Sequence, residues 1–370
     1  MGLQDTPRAN RPHIGLFGNR NAGKSSLLNA ITGQAKSLVS PVEGTTTDLV
    51  YQTFELERLG PVVFIDTAGL DDTGPLGTLR VEKTRQAVDT MDLAILVLTG
   101  PMKEELSWFQ WLQEKKVPIL PVLNQCDRME NVPAVQAYLS QQLGGLPVFP
   151  VSAKTGEQIP QLRQAIAQAL PDDFWELTIT GSLAQPGDLV LLVMPQDLQA
   201  PKGRLILPQA QTMRELLDKR CSVMSCTADC LEATLEALRI PPKLIITDSQ
   251  VFPSVWKAKP AESLLTSFSI LFARYKGELE TMIAGVAALN KIRTGDKILI
   301  CEGCTHHRQC GDIGTVKLPN WIRQFTKAEP EFTFTSGTEF PDDLTQYKLI
   351  IHCGGCMLNA KEMKYRIKCA

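Results

Sequence analysis

The sequence predicts an α/β protein in three parts, the first built on a parallel sheet, the second a small α/β unit and the third an α/β unit that carries the cysteines. Three observations predict it. Short apolar runs of strand length, such as Leu93 to Leu98 and Leu189 to Met194, alternate with amphipathic stretches such as Glu104 to Lys115 and Ile159 to Leu170. A glycine-rich GNRNAGKSS, residues 18 to 26, sits between an apolar run and a helical one. Six of the ten cysteines and three of the four histidines fall in the last seventy residues. The expected segments are 1–172, 173–260 and 261–370.

Length and composition agree with this division. A chain of 370 residues exceeds one domain, and 44% apolar residues suffice for packed cores. A net charge of −2 gives no bulk attraction for nucleic acid or an anionic membrane. No apolar run approaches a membrane span, and MGLQDTPRANRPH lacks a secretory core, so the expected location is cytoplasmic. MGLQDT matches the loose myristoylation pattern, but no second membrane signal accompanies it. Ten cysteines without a secretory signal point to metal or reduced thiols rather than disulfides.

The N-terminal segment opens with HIGLF as a buried strand, followed by G-x-x-x-x-G-K-S and the helical LLNAITG. In this arrangement Asn19, Asn21, Ala22, Gly23, Lys24, Ser25 and Ser26 surround a triphosphate. Backbone N–H groups and a helix N-terminus face the anion, Lys24 reaches the β- and γ-phosphates, and Ser25 binds Mg2+. PVVFIDTAGL places Asp66 and Gly69 after a second strand, where a Mg2+-linked carboxylate and a γ-phosphate-sensing N–H belong. GTTTD between them offers Thr46 as the second Mg2+-side hydroxyl. ILPVLNQCD ends a further strand at Asn124 and Asp127, and VFPVSAK ends another at Ser152, Ala153 and Lys154.

Five ordered motifs at strand ends resemble the GTPases related to TrmE and Era, over residues 12 to about 170. The resemblance implies a P-loop GTPase fold and GTP as ligand, with Asp127 accepting the guanine N1 and N2 hydrogens. It implies catalytic roles for Lys24, Thr46, Asp66 and Gly69. Two departures matter. The family's N-K-x-D is Asn124-Gln125-Cys126-Asp127 here, which predicts weaker nucleotide binding with guanine specificity kept. Leu70 follows Gly69 where a glutamine would orient the attacking water, which predicts slow turnover. Asn21 stands where such GTPases hold K+, so K+ stimulation is expected.

PDDFWELTITGSLAQPGD reads as a linker. DLVLLVMP and RLILP read as strands, Ala210 to Arg220 as a helix, CSVMSCTADC as leading into a helix through Arg239, and PPKLIITDSQ as a strand. About 75 residues make a small core, so burial against a second copy is expected, giving a homodimer. Cys226 and Cys230 read as plain thiols, and Thr247-Asp248-Ser249 as a cap.

In the last segment AESLLTSFSILFARY and ELETMIAGVAALNKI read as helices, GDKILICEGC as a strand into a loop, LPNWIRQFTKA as a helix, EFTFTSG as a strand, and YKLIIHCGGC as a strand into a loop. Strand ends of a parallel sheet gather on one edge, so CEGCTHH and HCGGC can meet across some fifty residues. The residues leave three chemistries open. These are a four-thiolate zinc from Cys301, Cys304, Cys353 and Cys356, a dithiol pair at Cys353 and Cys356, and an iron–sulfur cluster on three cysteines.

The combination of these segments with Cys304-Thr305-His306 and His352-Cys353-Gly354-Gly355-Cys356 resembles the [FeFe]-hydrogenase maturation GTPases, the HydF family, over the whole chain. That resemblance implies a C-terminal domain binding a [4Fe–4S] cluster through Cys304, Cys353 and Cys356. His306 and His352 would be near it as fourth ligand or neighbour. It implies a scaffold that receives a transient di-iron subcluster precursor from radical-SAM hydrogenase maturases and delivers it to apo [FeFe]-hydrogenase. A GTPase acting on RNA with a zinc-bearing C-terminal domain is the competing expectation. A nucleotide-regulated thiol oxidoreductase is a third.

Overall fold

The structure is a computed structural model of the 370-residue chain, and it describes residues 8–33, 49–56, 60–67, 75–170, 177–195, 205–303, 313–337 and 339–370. The chain divides near residue 176 into two compact units.

The first unit carries a six-stranded sheet in the order β2-β3-β1-β4-β5-β6. Its strands are β1 (His13–Phe17), β2 (Val50–Leu56), β3 (Gly60–Asp66), β4 (Leu93–Leu98), β5 (Ile119–Leu123) and β6 (Phe149–Pro150). All pairings are parallel except β2 with β3. Strands β1 and β4 are buried on both faces, which is why they read as unbroken apolar runs. One face packs Leu27, Leu28 and Ile31 of α1 (Lys24–Thr32) with Leu162 and Ile166 of a later helix, Ile159–Ala169. The opposite face packs Val88, Trp108, Phe109, Leu112 and Leu139. Helices on both faces place the carboxyl ends of the strands on one edge, where the motif loops lie.

The second unit contains two parallel sheets. One has the order β10-β9-β7-β8, from β7 (Leu189–Val193), β8 (Ser222–Cys226), β9 (Leu244–Thr247) and β10 (Leu264–Ser267). The other has the order β12-β11-β13, from β11 (Lys297–Glu302), β12 (Glu331–Ser336) and β13 (Leu349–His352).

Two expected elements differ here. RLILP is not a strand in its described part, because Leu207 opens a helix to Asp218 and Pro208 occupies its first turn. Proline has no N–H to give a sheet, and its fixed φ suits a helix start. AESLLTSFSILFARY is not one helix. Leu264–Ser267 form β10, and Ser267 then caps a helix, Phe268–Lys276, by accepting from the Ile270 N–H. That helix drives Phe268, Leu271 and Phe272 into the core of the first of these sheets. Each burial stabilises by about 1.5–3 kcal/mol. The C-terminal helix, Ala360–Cys369, starts from the side-chain cap of Asn359.

Candidate functional site

The loop after β1 forms the start of a phosphate cradle. Lys24 donates from Nζ to the carbonyls of Gly18 (2.8 Å) and Asn19 (3.1 Å), so its ammonium lies over the loop. Ser25 and Ser26 are exposed in the first turn of α1. Asp66 ends β3 beside Leu16 of β1. Burial raises its carboxyl pKa, and the Lys24 cation opposes the rise. Thr46 and Gly69 lie outside the described residues.

Asn124 is 1% exposed at the end of β5 and acts as a bridge. Its Nδ2 donates to the Ala22 carbonyl at 3.0 Å, and its Oδ1 accepts from the Ala153 N–H at 3.1 Å. One side chain thereby ties the phosphate loop to the Ser152–Lys154 loop. Ser152 donates its hydroxyl to Asp127 at 2.7 Å, while Asp127 stays exposed. That hydroxyl, the largest influence, holds the Asp127 carboxyl below the usual carboxylate range, so it is an ionised acceptor at neutral pH. Such an acceptor matches a purine edge presenting two N–H donors.

Gln125 and Asn21 both adopt left-handed backbone conformations, with φ of 63° each. The Gln125 amide donates to the Asn21 carbonyl at 3.0 Å. The residue standing in for the family's lysine thus spans to the phosphate loop with a neutral donor. The substitution is legible in the sequence; the contact with the Asn21 carbonyl is seen only in the folded loop.

In the second unit, strand register joins the two cysteine motifs. Cys301 on β11 lies opposite His352 on β13, and the Cys353 N–H donates to the Cys301 carbonyl at 3.1 Å. Beyond the strand ends, the Gly303 N–H donates to Cys353 Sγ at 3.0 Å, and the Gly355 N–H approaches the same sulfur at 3.4 Å. Gly303 immediately precedes Cys304, so the two halves meet at one sheet edge. Cys304 and His306 themselves lie outside the described residues. Cys301 is fully buried, and burial raises its thiol pKa.

The HCGGC turn depends on both glycines. Gly355 has φ of 61°. A Cβ on Gly354 would come within 3.0 Å of the Ser269 carbonyl and 3.3 Å of Phe272 Cβ. The turn therefore lies directly against the helix Phe268–Lys276. Beneath it, Lys276 is 1% exposed and donates from Nζ to the carbonyls of Cys356 (2.8 Å), Leu358 (2.7 Å) and Gly355 (3.3 Å). Burial pulls its pKa down to about 8, against the opposing effect of the Cys356 and Cys353 thiols.

His352 is held at both ring nitrogens. Arg366 Nη1 lies 3.1 Å from its Nε2, and its Nδ1 lies 2.8 Å from the Cys353 carbonyl. A guanidinium only donates, so Nε2 accepts and Nδ1 carries the proton. Burial lowers the His352 pKa to about 4; the Cys353 carbonyl works against this and Arg366 adds to it. Arg366, 2% exposed, also donates to the Gly337 carbonyl (2.9 Å) and to Glu362 (2.7 Å), and lies 5.2 Å from the centre of the Phe340 ring.

This half of the site fits an iron–sulfur group. It offers two thiols with two residues between them, backbone N–H donors aimed at one sulfur, and a close-fitting glycine turn. Lys276 and Arg366 carry no metal-ligand signal in the sequence and were missed. Lys276 ends an apolar helix, where a lysine ordinarily reaches solvent. Among the described residues no three His, Cys, Asp or Glu side chains converge, and no helix is long and apolar enough to cross a membrane.

Comparison with known proteins matches three successive stretches of the chain. Residues 13–125 match the family model of a 50S ribosome-binding GTPase. Residues 179–277 match the hydrogen maturase F dimerization domain, and residues 280–370 match the hydrogen maturase F tetramerization domain. Among curated relatives, the tRNA modification GTPase MnmE of Roseiflexus castenholzii is 34% identical over 171 residues, 43% of this chain and 36% of that protein. The MnmE of Nitrosomonas europaea is 31% identical over 243 residues, 65% of this chain and 48% of that protein. The chain spans about a third to a half of the length of these relatives. An uncharacterised protein of Methanocaldococcus jannaschii is 33% identical over 178 residues, 42% of this chain and 95% of its own length. A solved structure of Aquifex aeolicus Era with GDP and AlF4− aligns at 18% identity and a TM-score of 0.39, covering 58% of this chain and 92% of that one. The N-terminal unit is a GTPase domain that binds GTP with Mg2+, and the rest of the chain carries oligomerisation domains. With two hydrogen maturase F domains matching more than half of its length behind that GTPase domain, the chain belongs to the HydF family of hydrogenase maturation GTPases.

Proposed function

We propose that this maturation GTPase is an iron–sulfur scaffold. It holds a [4Fe–4S] cluster on Cys304, Cys353 and Cys356 and delivers a di-iron precursor to apo [FeFe]-hydrogenase. The observation that carries the reading is the pair of backbone N–H groups on Cys353 Sγ, one of them from the residue before Cys304. Such donors lower the electron density on a ligating thiolate and orient it. Bound there, the cluster supplies an iron not closed by a fourth cysteine, to which an external ligand of the precursor can attach. The radical-SAM maturases would supply that precursor. The three segments are proposed as GTP-binding, dimerisation and cluster-binding, with a homodimer formed through the middle one; β10 and the helix Phe268–Lys276, beyond the expected boundary at 260, belong to that middle segment by their packing.

The GTPase part follows from its loops. Lys24 and the N-terminus of α1 hold the phosphates, Ser25 and Thr46 the Mg2+, and Asp66 its water shell. Gly69 senses the γ-phosphate. Asp127 selects guanine, and Asn124 keeps the two loops in register. With Leu70 unable to orient water, turnover is slow, and K+ at Asn21 stands in for an arginine finger. The left-handed Asn21 backbone is also one that asparagine adopts without a ligand. Equal GTPase rates in K+ and Na+ would remove the potassium site. GTP sets conformation and partner exchange only so far as it binds two states unequally, typically about 1–3 kcal/mol.

The scaffold is tested by anaerobic reconstitution of the full chain with iron and sulfide, followed by EPR. A reduced [4Fe–4S] signal, lost in Cys304→Ser, Cys353→Ser and Cys356→Ser, is expected. A tetrathiolate zinc that includes Cys301 would replace the scaffold with the zinc-bearing alternative.

A further inference from the structure

The ammonium of Lys276 poses a problem of charge. It is 1% exposed, and among the described residues its hydrogen-bond partners are three neutral carbonyls, those of Gly355, Cys356 and Leu358. Its ring contact is Phe272, 5.6 Å from the nitrogen. A buried cation is stable only when paired with negative charge or richly solvated by dipoles, and carbonyl dipoles alone rarely meet the desolvation cost. Among the described residues no carboxylate is bonded to it. The acidic groups that act on this ammonium electrostatically are the thiols of Cys356 and Cys353. All three carbonyls belong to the turn that carries those thiols or to its immediate continuation.

The lysine's helix adds a second constraint. Phe268–Lys276 buries Phe268, Leu271 and Phe272 in the core of the dimerization-domain sheet. Lys276 projects from its last turn, and Gly354 packs on the Ser269 carbonyl of its first. The cysteine turn is thereby seated along one rigid element of the neighbouring domain.

From this geometry we infer that Lys276 is a positioning residue for the cluster: it seats the Cys353–Cys356 turn on the dimerization domain and places a fixed positive charge under the thiolates. The inference rests on the scaffold reading above. Its consequence is electrochemical. One-electron reduction takes the cluster from the 2+ to the 1+ core, with the electron supplied by an added reductant, and makes the thiolate-bound group more negative. A buried cation nearby favours that state, so Lys276 raises the reduction potential.

The test is an EPR-monitored redox titration of the reconstituted full chain, using dithionite, for the wild type, Lys276→Met and Lys276→Arg. Lys276→Met is expected to load iron and sulfide and to show a more negative midpoint potential. Lys276→Arg keeps the charge and stays near the wild type. Should Lys276→Met be insoluble, Lys276→Gln gives the same comparison, with charge removed and an amide donor kept. A loaded, folded neutral variant with the wild-type potential overturns the inference. So does a Lys276→Arg shift as large as that of the neutral variant, which would make packing the cause. A wild type that binds no cluster overturns the scaffold reading first and this inference with it.

Discussion

The nucleotide loops and the cysteine loops both sit at the carboxyl edge of a parallel sheet, yet they are held in opposite ways. In the GTPase domain the motif residues hold one another. Asn124 spans from Ala22 to Ala153, Ser152 fixes Asp127, and Gln125 reaches Asn21. Around the cysteines the motif is held from outside, by Lys276 from a helix that precedes the sheet and by Arg366 from one that follows it. A site that positions itself can be read from its motif. A site positioned by distant side chains shows only its ligands in the sequence.

This contrast predicts where damage is greatest. Arg366→Met should have the largest effect, because it removes a buried guanidinium, leaves the half-buried Glu362 without its cation and frees His352 Nε2. Breaking a buried pair costs roughly 3–5 kcal/mol, and urea unfolding of the C-terminal unit should show it. A loss below about 1 kcal/mol would mean that the outer shell is dispensable and the contrast is false. Asn124→Ala comes next. It strands the Ala22 carbonyl and the Ala153 N–H, at about 1–3 kcal/mol, and should weaken GTP binding measured by calorimetry. Ser152→Ala is the mildest. Asp127 is held low in the folded protein, so its charge persists as pH falls through the usual carboxylate range. Without the Ser152 hydroxyl, the acid limb of GTP binding should move toward neutral pH. An unmoved limb would show that Asp127 does not depend on its neighbour.

The placing of the described nucleotide motifs, those at Lys24, Asp66, Asn124 and Ser152, was legible because each marks a strand end, and parallel strands align their ends automatically. The meeting of CEGC with HCGGC was legible for the same reason. The misread segments fail for a local reason. RLILP and AESLLT are short apolar runs that suit strand and helix equally, and Pro208 and the Ser267 cap decided between them. The final helix was not anticipated, and Arg366 with it. Neither Arg366 nor Lys276 differs in composition from an ordinary surface cation. Burial alone distinguishes them, and burial is a property of the packed unit.

The register of β11 with β13 has an evolutionary consequence. Cys301 opposite His352 fixes the separation of the two cysteine motifs at the spacing of adjacent strands, about 4.8 Å. Nothing in that spacing depends on how many residues run between the motifs. The crossover through Leu318–Thr326 and Glu331–Ser336 can therefore gain or lose surface residues in descendants of this chain while the half-sites keep their distance. A single-residue slip within either strand, by contrast, would turn His352 or Cys301 to the wrong face and separate the halves at once.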